Sequence, residues 1–190
     1  MTNAVTRAEI VDFETYREER ETYRPKVMAI KAPRRIHLGK NLTFLFENHE
    51  TVRYQVQEMM LAERIVKEAE ILHELTTYNE LLGGPGGLGA SLLIEIENEA
   101  ERNEKLKAWH KLPQHLYVKL EDGSKVRATY DARQVGETRL SSVHYLRFPV
   151  QGNLPVAIGV DLPELVLEAP FTAEQRAALQ ADLAQPFTST

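Results

Sequence analysis

Between His49 and Leu82 apolar residues recur at helical spacing, but the face that they occupy changes along the segment. At about 100° per residue, one face of the first half collects Val52, Val56, Met59, Met60 and Val66. In the second half the apolar face is rotated by about a quarter to a third of a turn, and it carries Ile71, Leu72, Leu75, Tyr78 and Leu82. A straight helix cannot bury both faces against one partner, so the pattern predicts two helices, or one bent helix, joined around Arg64 to Glu68.

The first half of this segment has a second apolar patch, nearly opposite the first, made of Tyr54, Leu61 and Ile65. A helix that is apolar on two sides is typically buried on most sides. Asn48 precedes the segment and is a favourable N-cap residue, because its side chain can accept a hydrogen bond from a free amide of the first turn.

Helical spacing also marks the N-terminal region, where Thr6 and Glu9 have the spacing of a capping box. The apolar positions that follow are Ile10, Phe13, Tyr16, Tyr23, Val27 and Ile30. Pro25 lacks an amide hydrogen and clashes with the preceding turn, so we expect a break or a kink near Arg24. Pro33 stops any further helix.

Runs rich in β-forming residues predict three hairpins. The first joins 34–38 to 42–46, the second joins 116–120 to 125–130, and the third pairs 142–150 with 154–160 around Gln151-Gly152-Asn153. The remaining predicted elements are a glycine-rich loop at 83–87, a strand at 90–96, a helix at 97–109, a short strand at 165–167 and a helix from Thr172 to about Leu183.

The order of these elements predicts an α+β fold, with the N-terminal and central helices on a mostly antiparallel sheet and the strands concentrated in the C-terminal half. We expect one domain over residues 1–185, followed by a frayed tail at 186–190. Its three parts are an N-terminal helical arm (1–33), a hairpin with the central helices (34–110) and a β-rich half with a C-terminal helix (111–185).

Composition narrows the function classes. The chain of 190 residues has no cysteine, which removes disulfides, thiol nucleophiles and cysteine metal ligands. The net charge of −5 argues against broad nucleic-acid binding, which needs a basic surface. No run approaches the roughly 18 apolar residues of a membrane span, and the N-terminus has no signal-peptide pattern. We therefore expect a cytoplasmic protein that binds neither membrane nor nucleic acid.

Two carboxylates of the central segment fall where apolar residues are expected. Glu63 lies between Val52 and Val56 on the helical wheel, and Glu58 lies beside Tyr54. A buried carboxylate must be paired, coordinated or neutral. One interpretation is a structural ion pair, with a partner from among Arg34, Arg35 and Arg53. The other is a metal ligand or proton carrier, together with further candidates at Glu47, His49 and His37.

Three other patterns resemble functional motifs but can also be explained by an ordinary structural role. Glu70 and His73 have the spacing of diiron proteins, but those proteins use the motif twice, and here both residues fall on the polar side of their helix. Arg34 and Arg35 form a local basic pair that either binds an anion or neutralises Glu47 and Glu58. His144 alternates within a strand, where a single histidine is usually a core or surface residue.

A wider set of residues resembles the bacterial family catalogued as domain of unknown function, number 3501. The residues that carry the resemblance run from Arg34-Arg35 through Phe46-Glu47-Asn48, Thr51 to Gln55, Gln57-Glu58-Met59, Ala62 to Ile65, Glu74-Leu75, Tyr78-Asn79, Leu81, Ile94 to Ile96, Val143 to Tyr145 and Phe148. Family members tend to be encoded beside rubrerythrin-like diiron proteins and iron–sulfur oxidoreductases, so the resemblance implies a redox context. Unlike the family pattern, the stretch Asp161 to Leu165 contains no histidine.

The favoured hypothesis is a non-enzymatic accessory protein of a cytoplasmic redox or oxidative-stress system, with a rubrerythrin-like or iron–sulfur protein as its partner. This rests on the resemblance and on the lack of a catalytic signature. The alternative is an enzyme that binds a metal (iron, manganese or zinc) or a small ligand at the buried carboxylates. A third hypothesis is anion binding by Arg34 and Arg35. No cofactor is evident from the sequence, and whether the chain forms a homo-oligomer stays open.

Overall fold

The computed structural model describes residues 4–185 and confirms the α+β class. The helices are α1 Phe13–Lys31, α2 His49–Glu63, α3 Glu68–Asn79, α4 Glu99–Ala108, α5 Leu112–His115 and α6 Ala173–Leu183. The strands are β1 Arg35–Leu38, β2 Leu42–Glu47, β3 Leu88–Ile94, β4 Leu116–Leu120, β5 Lys125–Arg127, β6 Val143–Phe148, β7 Pro155–Leu162 and β8 Leu165–Pro170. Helices therefore dominate the first half of the chain, and strands are more numerous in the second.

The strands form two antiparallel sheets rather than one. The first sheet has the order β1-β2-β3-β6, and the second has the order β5-β4-β7-β8. The sheets approach each other along β1 and β8. At the opposite side, Thr129 pairs with Arg147 of β6 and so links the chain after β5 to the first sheet. The inner faces of both sheets are thereby enclosed.

Two hydrophobic cores result. The first lies between the sheets and combines side chains such as Phe44 and Phe148 of the first sheet with Val118 and Ile158 of the second. The second lies among α2, α3 and the N-terminal segment, with Val56 and Leu75 at its interior. Helices α1 and α2 also contact each other along their length. The outer face of the first sheet is only partly covered, since Arg35 and Tyr145 on its two edge strands are exposed.

The phase change in the central segment predicted its division correctly. Helix α2 ends at Glu63, Arg64 adopts a left-handed conformation with φ of 52°, and α3 begins at Glu68. Asn48 caps α2, since its side chain accepts a hydrogen bond from the amide of Thr51. The boundary also places Val66 in the connection, where it is 66% exposed, so the expectation that it lies on a buried helix face is wrong.

The predicted break at Pro25 is wrong, because α1 continues through this residue. Proline has no amide hydrogen, so the carbonyl four residues before it loses its helical hydrogen bond. The side chain of Pro25 is exposed, which places this carbonyl on the side of the helix that faces solvent. The other side of the helix is anchored by Tyr16 and Val27, which are buried. Tertiary contact with α2 thus outweighs the local cost of proline. The capping box at Thr6 is present, but it begins a short 3₁₀ turn rather than the long helix.

The third predicted hairpin is also wrong. Strand β6 belongs to the first sheet and β7 to the second, so the turn at Gln151 and Gly152 carries the chain from one sheet to the other. The other two predicted hairpins, β1–β2 and β4–β5, are confirmed. The short strand predicted at 165–167 extends to Pro170 and pairs with β7. The predicted tail at 186–190 lies outside the described residues.

None of the helices within residues 4–185 combines the length and the apolar character needed to cross a membrane.

Candidate functional site

Glu58 is held by two side chains of α1, which donate three hydrogen bonds to its carboxylate. Arg20 donates from Nε to Oε1 at 2.7 Å and from Nη2 to Oε2 at 2.8 Å, and the Tyr16 hydroxyl donates to Oε1 at 2.6 Å. These contacts, with the Arg20 hydrogen bonds as the largest contribution, hold the pKa of Glu58 below its usual value. Glu58 is therefore an ionised member of a structural ion pair that fastens α1 to α2.

The expected partners of this carboxylate were Arg34, Arg35 and Arg53, and that expectation is wrong. Arg20 supplies the charge from 38 residues away in the sequence. A usable signal was present, because Arg20 follows Tyr16 by four residues and so shares its side of α1.

Glu63 does not enter the apolar stripe that the helical wheel assigned to it. It is the last residue of α2, and its side chain is exposed. Arg64 adopts the left-handed conformation and ends the helix, so α2 has no further turn that could pack beside the Glu63 side chain. The prediction that Glu63 is buried is wrong, and Glu63 does not join Glu58 in a shared site.

Glu47 has only hydroxyl groups as hydrogen-bond donors among the described residues. The Thr51 hydroxyl donates to Oε2 at 2.6 Å, and the Ser91 hydroxyl donates to Oε1 at 2.7 Å. Glu47 ends β2 and is partly buried between the first sheet and α2. Glu47 is also close enough to Lys31 to affect the pKa of that lysine. Its negative charge raises this pKa, whereas burial of Lys31 lowers it by a larger amount.

The two candidate histidines lie apart from this carboxylate and from each other. His49 begins α2, with Nε2 at 2.9 Å from Glu9 Oε1 and Nδ1 at 3.5 Å from Glu50 Oε1. His37 lies on the outer face of β1, and its Nδ1 is 2.9 Å from the Thr43 hydroxyl. That hydroxyl in turn donates to Glu95. Because Thr43 gives its one hydrogen to Glu95, His37 Nδ1 is the donor in its contact with the Thr43 hydroxyl.

The residues expected to bind a metal therefore do not converge. Within residues 4–185, no group of three His, Asp or Glu side chains could hold a metal ion. Glu70 and His73 are both exposed, as their position on the polar side predicted, and Glu70 pairs with Lys67 at 3.0 Å.

The basic pair Arg34-Arg35 is divided by the structure. Arg34 is buried and forms a two-point ion pair with Asp182 of α6, at 2.8 Å from Nε to Oδ2 and 2.8 Å from Nη2 to Oδ1. Arg35 points to the other face of β1 and is exposed. Neither arginine neutralises Glu47 or Glu58 through an ion pair between described residues, so that part of the interpretation is wrong.

His144 is fully buried on the inner face of β6. Its Nε2 lies 2.9 Å from the Ser141 carbonyl, whereas Nδ1 has no hydrogen-bond partner among the described residues. Burial lowers the pKa of His144 below its usual 6.5. The folded protein therefore holds this imidazole neutral where the unfolded chain would protonate it.

We predict that acidification destabilises the protein through His144. As the pH falls through about 6.5, the unfolded state takes up a proton that the folded state does not, so the free energy of unfolding falls by up to about 1.4 kcal/mol per pH unit until the folded pKa is reached. Urea unfolding between pH 7.5 and 5.5 measures this slope. The slope should decrease in His144→Phe and stay unchanged in the control His73→Gln; equal slopes in all three proteins would contradict the prediction.

A cleft of about 790 Å³ opens between the end of α3 and the outer face of β6. We call it the α3–β6 cleft. Its third wall is the chain segment that follows β5. The side chains that give it its chemical character are three tyrosines and two arginines: Tyr78, Tyr130, Tyr145, Arg133 and Arg147. Ligand sites of small molecules typically have volumes of about 300–1,000 Å³ and several aromatic walls.

Hydrogen bonds fasten the walls of this cleft to one another. The side chain of Gln134 accepts from the amide of Tyr145 at 2.7 Å and donates to its carbonyl at 3.4 Å, which closes the free edge of β6. Thr129 and Arg147 exchange two backbone hydrogen bonds, at 2.7 and 2.8 Å. Arg147 donates from Nη2 to the Glu80 carbonyl at 2.6 Å and so ties the end of α3 to β6.

The cleft presents neutral hydroxyls, and its charged lining residues are Arg133 and Arg147 together with the acids Asp131 and Glu80. Burial raises the pKa of both Tyr78 and Tyr145, so their hydroxyls stay protonated at neutral pH. Arg133 pairs with Asp131 at 2.8 Å. Arg147 instead contacts a carbonyl oxygen, and no carboxylate of the described residues forms an ion pair with it. The arrangement suits a planar group that stacks on tyrosine and carries an anionic substituent.

The two linked antiparallel sheets, with helices over one outer face, define the class: a two-sheet α+β protein. Residues 4–183 match the model of the family described as "Protein of unknown function (DUF3501)", and the chain belongs to this family. The family resemblance carried by the sequence motifs is thereby confirmed.

A solved structure has the same fold over nearly its whole length. This is the crystal structure of a protein of unknown function from Burkholderia pseudomallei, which is 30% identical in sequence with a TM-score of 0.86. The match covers 95% of this chain and 99% of that chain. No curated protein sequence matches this chain.

Proposed function

We propose that the protein is a non-enzymatic binding protein, an accessory component of a redox system, and that the α3–β6 cleft holds the group that it recognises. The observation that carries the proposal is a contrast between two regions. The acidic candidate Glu58 is neutralised by Arg20 within the α1–α2 contact. The cleft, by comparison, is open, is fastened on three sides and contains a cation without an acidic partner among the described residues.

The chemistry of the cleft favours a small molecule with an aromatic ring and a carboxylate. Tyrosine faces stack on planar rings, typically with about 0.5–1.5 kcal/mol beyond the area buried. The guanidinium of Arg147 matches a carboxylate in shape and charge. Its position is set in advance by the Glu80 carbonyl, which reduces the conformational entropy lost on binding.

Ligand-observed saturation-transfer NMR with benzoate, 4-hydroxybenzoate and indole-3-acetate tests this specificity. At least one of these aromatic acids should show saturable transfer that is lost in Tyr145→Ala and weakened in Arg147→Met. The control Lys26→Met, an exposed lysine of α1 that does not line the cleft, should behave as wild type. No transfer to any acid, or equal transfer in the cleft variants, would contradict the assignment of the cleft.

The redox role rests on the family resemblance, since members tend to be encoded beside rubrerythrin-like and iron–sulfur proteins. Affinity purification from native extract tests it, with the bound proteins identified by mass spectrometry. Recovery of a rubrerythrin-like or iron–sulfur protein is the expected result. Recovery of neither class would count against the accessory role. It would not bear on ligand binding by the cleft, which the NMR experiment tests separately.

The alternative is an enzyme that binds a metal or a small ligand, and Glu47 favours it among the central carboxylates. Its carboxylate contacts hydroxyls and lies in an ion pair with no described residue, so it keeps coordination capacity that Glu58 lacks. Elemental analysis of protein purified without chelators decides the metal version. Stoichiometric iron, manganese or zinc that is lost in Glu47→Gln would support this alternative.

A further inference from the structure

Three cations lie on the last two turns of α1 and at the start of β1, and we call them the α1–β1 cations: Arg24, Lys31 and Arg35. Arg24 and Lys31 are seven residues apart on α1 and therefore share one side of the helix. Arg35 is the first residue of β1, one 3₁₀ turn beyond the end of α1. Within residues 4–185, none of the three forms an ion pair with a carboxylate at 4.0 Å or less.

Lys31 is the unusual member of the group because it is half-buried. Its Nζ lies 4.7 Å from the ring centroid of Tyr54, which is a cation–π contact. Buried lysines normally have an acidic partner. Burial is the main cause that lowers the pKa of Lys31, and repulsion from Arg35 and Arg24 adds to it, whereas attraction to Glu47 and Glu58 opposes it. A further negative charge at this position would relieve both effects.

Two other arginines of the same segment each form an ion pair inside the protein. Arg20 pairs with Glu58 at 2.7 Å, and Arg34 pairs with Asp182 at 2.8 Å. Glu47, the acid that attracts Lys31, is already the acceptor for the Thr51 and Ser91 hydroxyls. These hydroxyl contacts leave the charge of Glu47 in place, so Glu47 offsets part of the positive charge near Lys31. Three cations against this one carboxylate, which is unpaired among the described residues, still leave a net positive charge after the internal pairs have formed.

We propose that the α1–β1 cations form a binding site for the phosphate group of a small molecule. Arg35 and Arg24 can each offer two parallel N–H groups to phosphate oxygens, and the Lys31 ammonium supplies a compact point charge. A small ligand fits better than a nucleic acid, because the chain carries a net charge of −5 and the site contains only three cations.

Isothermal titration at constant ionic strength tests the proposal with three probes: inorganic phosphate, pyrophosphate and ADP. At least one probe should bind saturably. Lys31→Met and Arg35→Met should each weaken that binding by about tenfold or more, the usual effect of losing a charge-assisted contact. Binding of inorganic phosphate itself would indicate a free phosphate site, and binding of only the larger probes would indicate a phosphorylated ligand.

Two control variants make the result specific. Lys26 is an exposed lysine on another side of α1, so Lys26→Met removes an equal charge outside the site. Arg147→Met alters the α3–β6 cleft and separates this site from the proposed function. Both controls should bind the probe as wild type does. Absence of saturable heat with all three probes, or the same loss in Lys26→Met as in Lys31→Met, would overturn the proposal. Thermal melts of every variant exclude unfolding as the cause.

Discussion

Asp182→Ala should lower the free energy of unfolding by about 3–5 kcal/mol, the usual cost of leaving one charge of a buried ion pair without its partner. The side chains of Arg34 and Asp182 are only 9% and 6% exposed. Asp182 also accepts a hydrogen bond from the Asn48 side chain at 3.2 Å, and Arg34 donates to the Ile30 carbonyl at 2.7 Å. One carboxylate thus joins α6 to the end of α1 and the start of α2.

Urea unfolding followed by circular dichroism measures this loss. The matched control is Glu14→Ala, which removes a carboxylate from an exposed pair with Arg17, whose side chain is 60% exposed, and should cost less than about 1 kcal/mol. The double variant Arg34→Met/Asp182→Leu should regain most of the stability, because it leaves no unpaired charge. A loss below about 1 kcal/mol for Asp182→Ala would show that solvent reaches this pair.

Gly89→Ala should be comparably severe, at about 3 kcal/mol or more, because the added methyl group meets backbone that cannot rotate away. A Cβ at this position would lie 1.8 Å from the Leu81 carbonyl oxygen and 2.9 Å from the Gly83 amide nitrogen. The chain that follows α3 rests directly on β3 at this glycine. The substitution should therefore separate the two and distort the α3–β6 cleft as well as destabilise the fold.

The control for this substitution is Gly84→Ala. Gly84 has φ of +75° but no atom within 4 Å of an added Cβ, so only the left-handed strain of about 1–2 kcal/mol applies. Thermal and urea unfolding of both variants should place Gly89→Ala well below Gly84→Ala. Similar stabilities for the two variants would contradict the close approach of Leu81 to Gly89.

Features set by neighbours in the sequence were predictable. The division between α2 and α3 followed from a change of helical phase, and the cap at Asn48 followed from the residue type. Both signals act within a few residues and do not depend on the rest of the chain. The family match likewise followed from motifs that extend over most of the sequence.

Features set by distant contacts were not predictable from one sequence. The pairs Arg20–Glu58 and Arg34–Asp182 span 38 and 148 residues, and nothing local selects one arginine over another. The turn at Gly152 has the residues of a hairpin, yet the chain enters a second sheet there. Alternation indicates which face of a strand is buried but not which strand lies beside it.

The α3–β6 cleft could not be predicted either, because it is formed by residues that are distant in the sequence. Tyr78, Tyr130 and Tyr145 come from three separate parts of the chain, and each alone is an ordinary half-buried tyrosine. Lys31 gave no sequence signal, since its partial burial depends on Tyr54 of another helix. A weak indication existed at Tyr145, which is 41% exposed, because β6 alternates strictly and places this aromatic residue on the outer face.

Native mass spectrometry of protein purified gently from its own cells tests the central claim most directly, because it detects an occupant of the α3–β6 cleft whatever the chemical identity of that occupant. The wild-type protein should carry a non-covalent small molecule that is released on denaturation and contains an aromatic ring and a carboxylate. The variant Tyr145→Ala/Arg147→Met should have the bare mass, and Lys26→Met should retain the adduct. A bare wild-type mass, or the same adduct on the cleft variant, would contradict the proposed binding function.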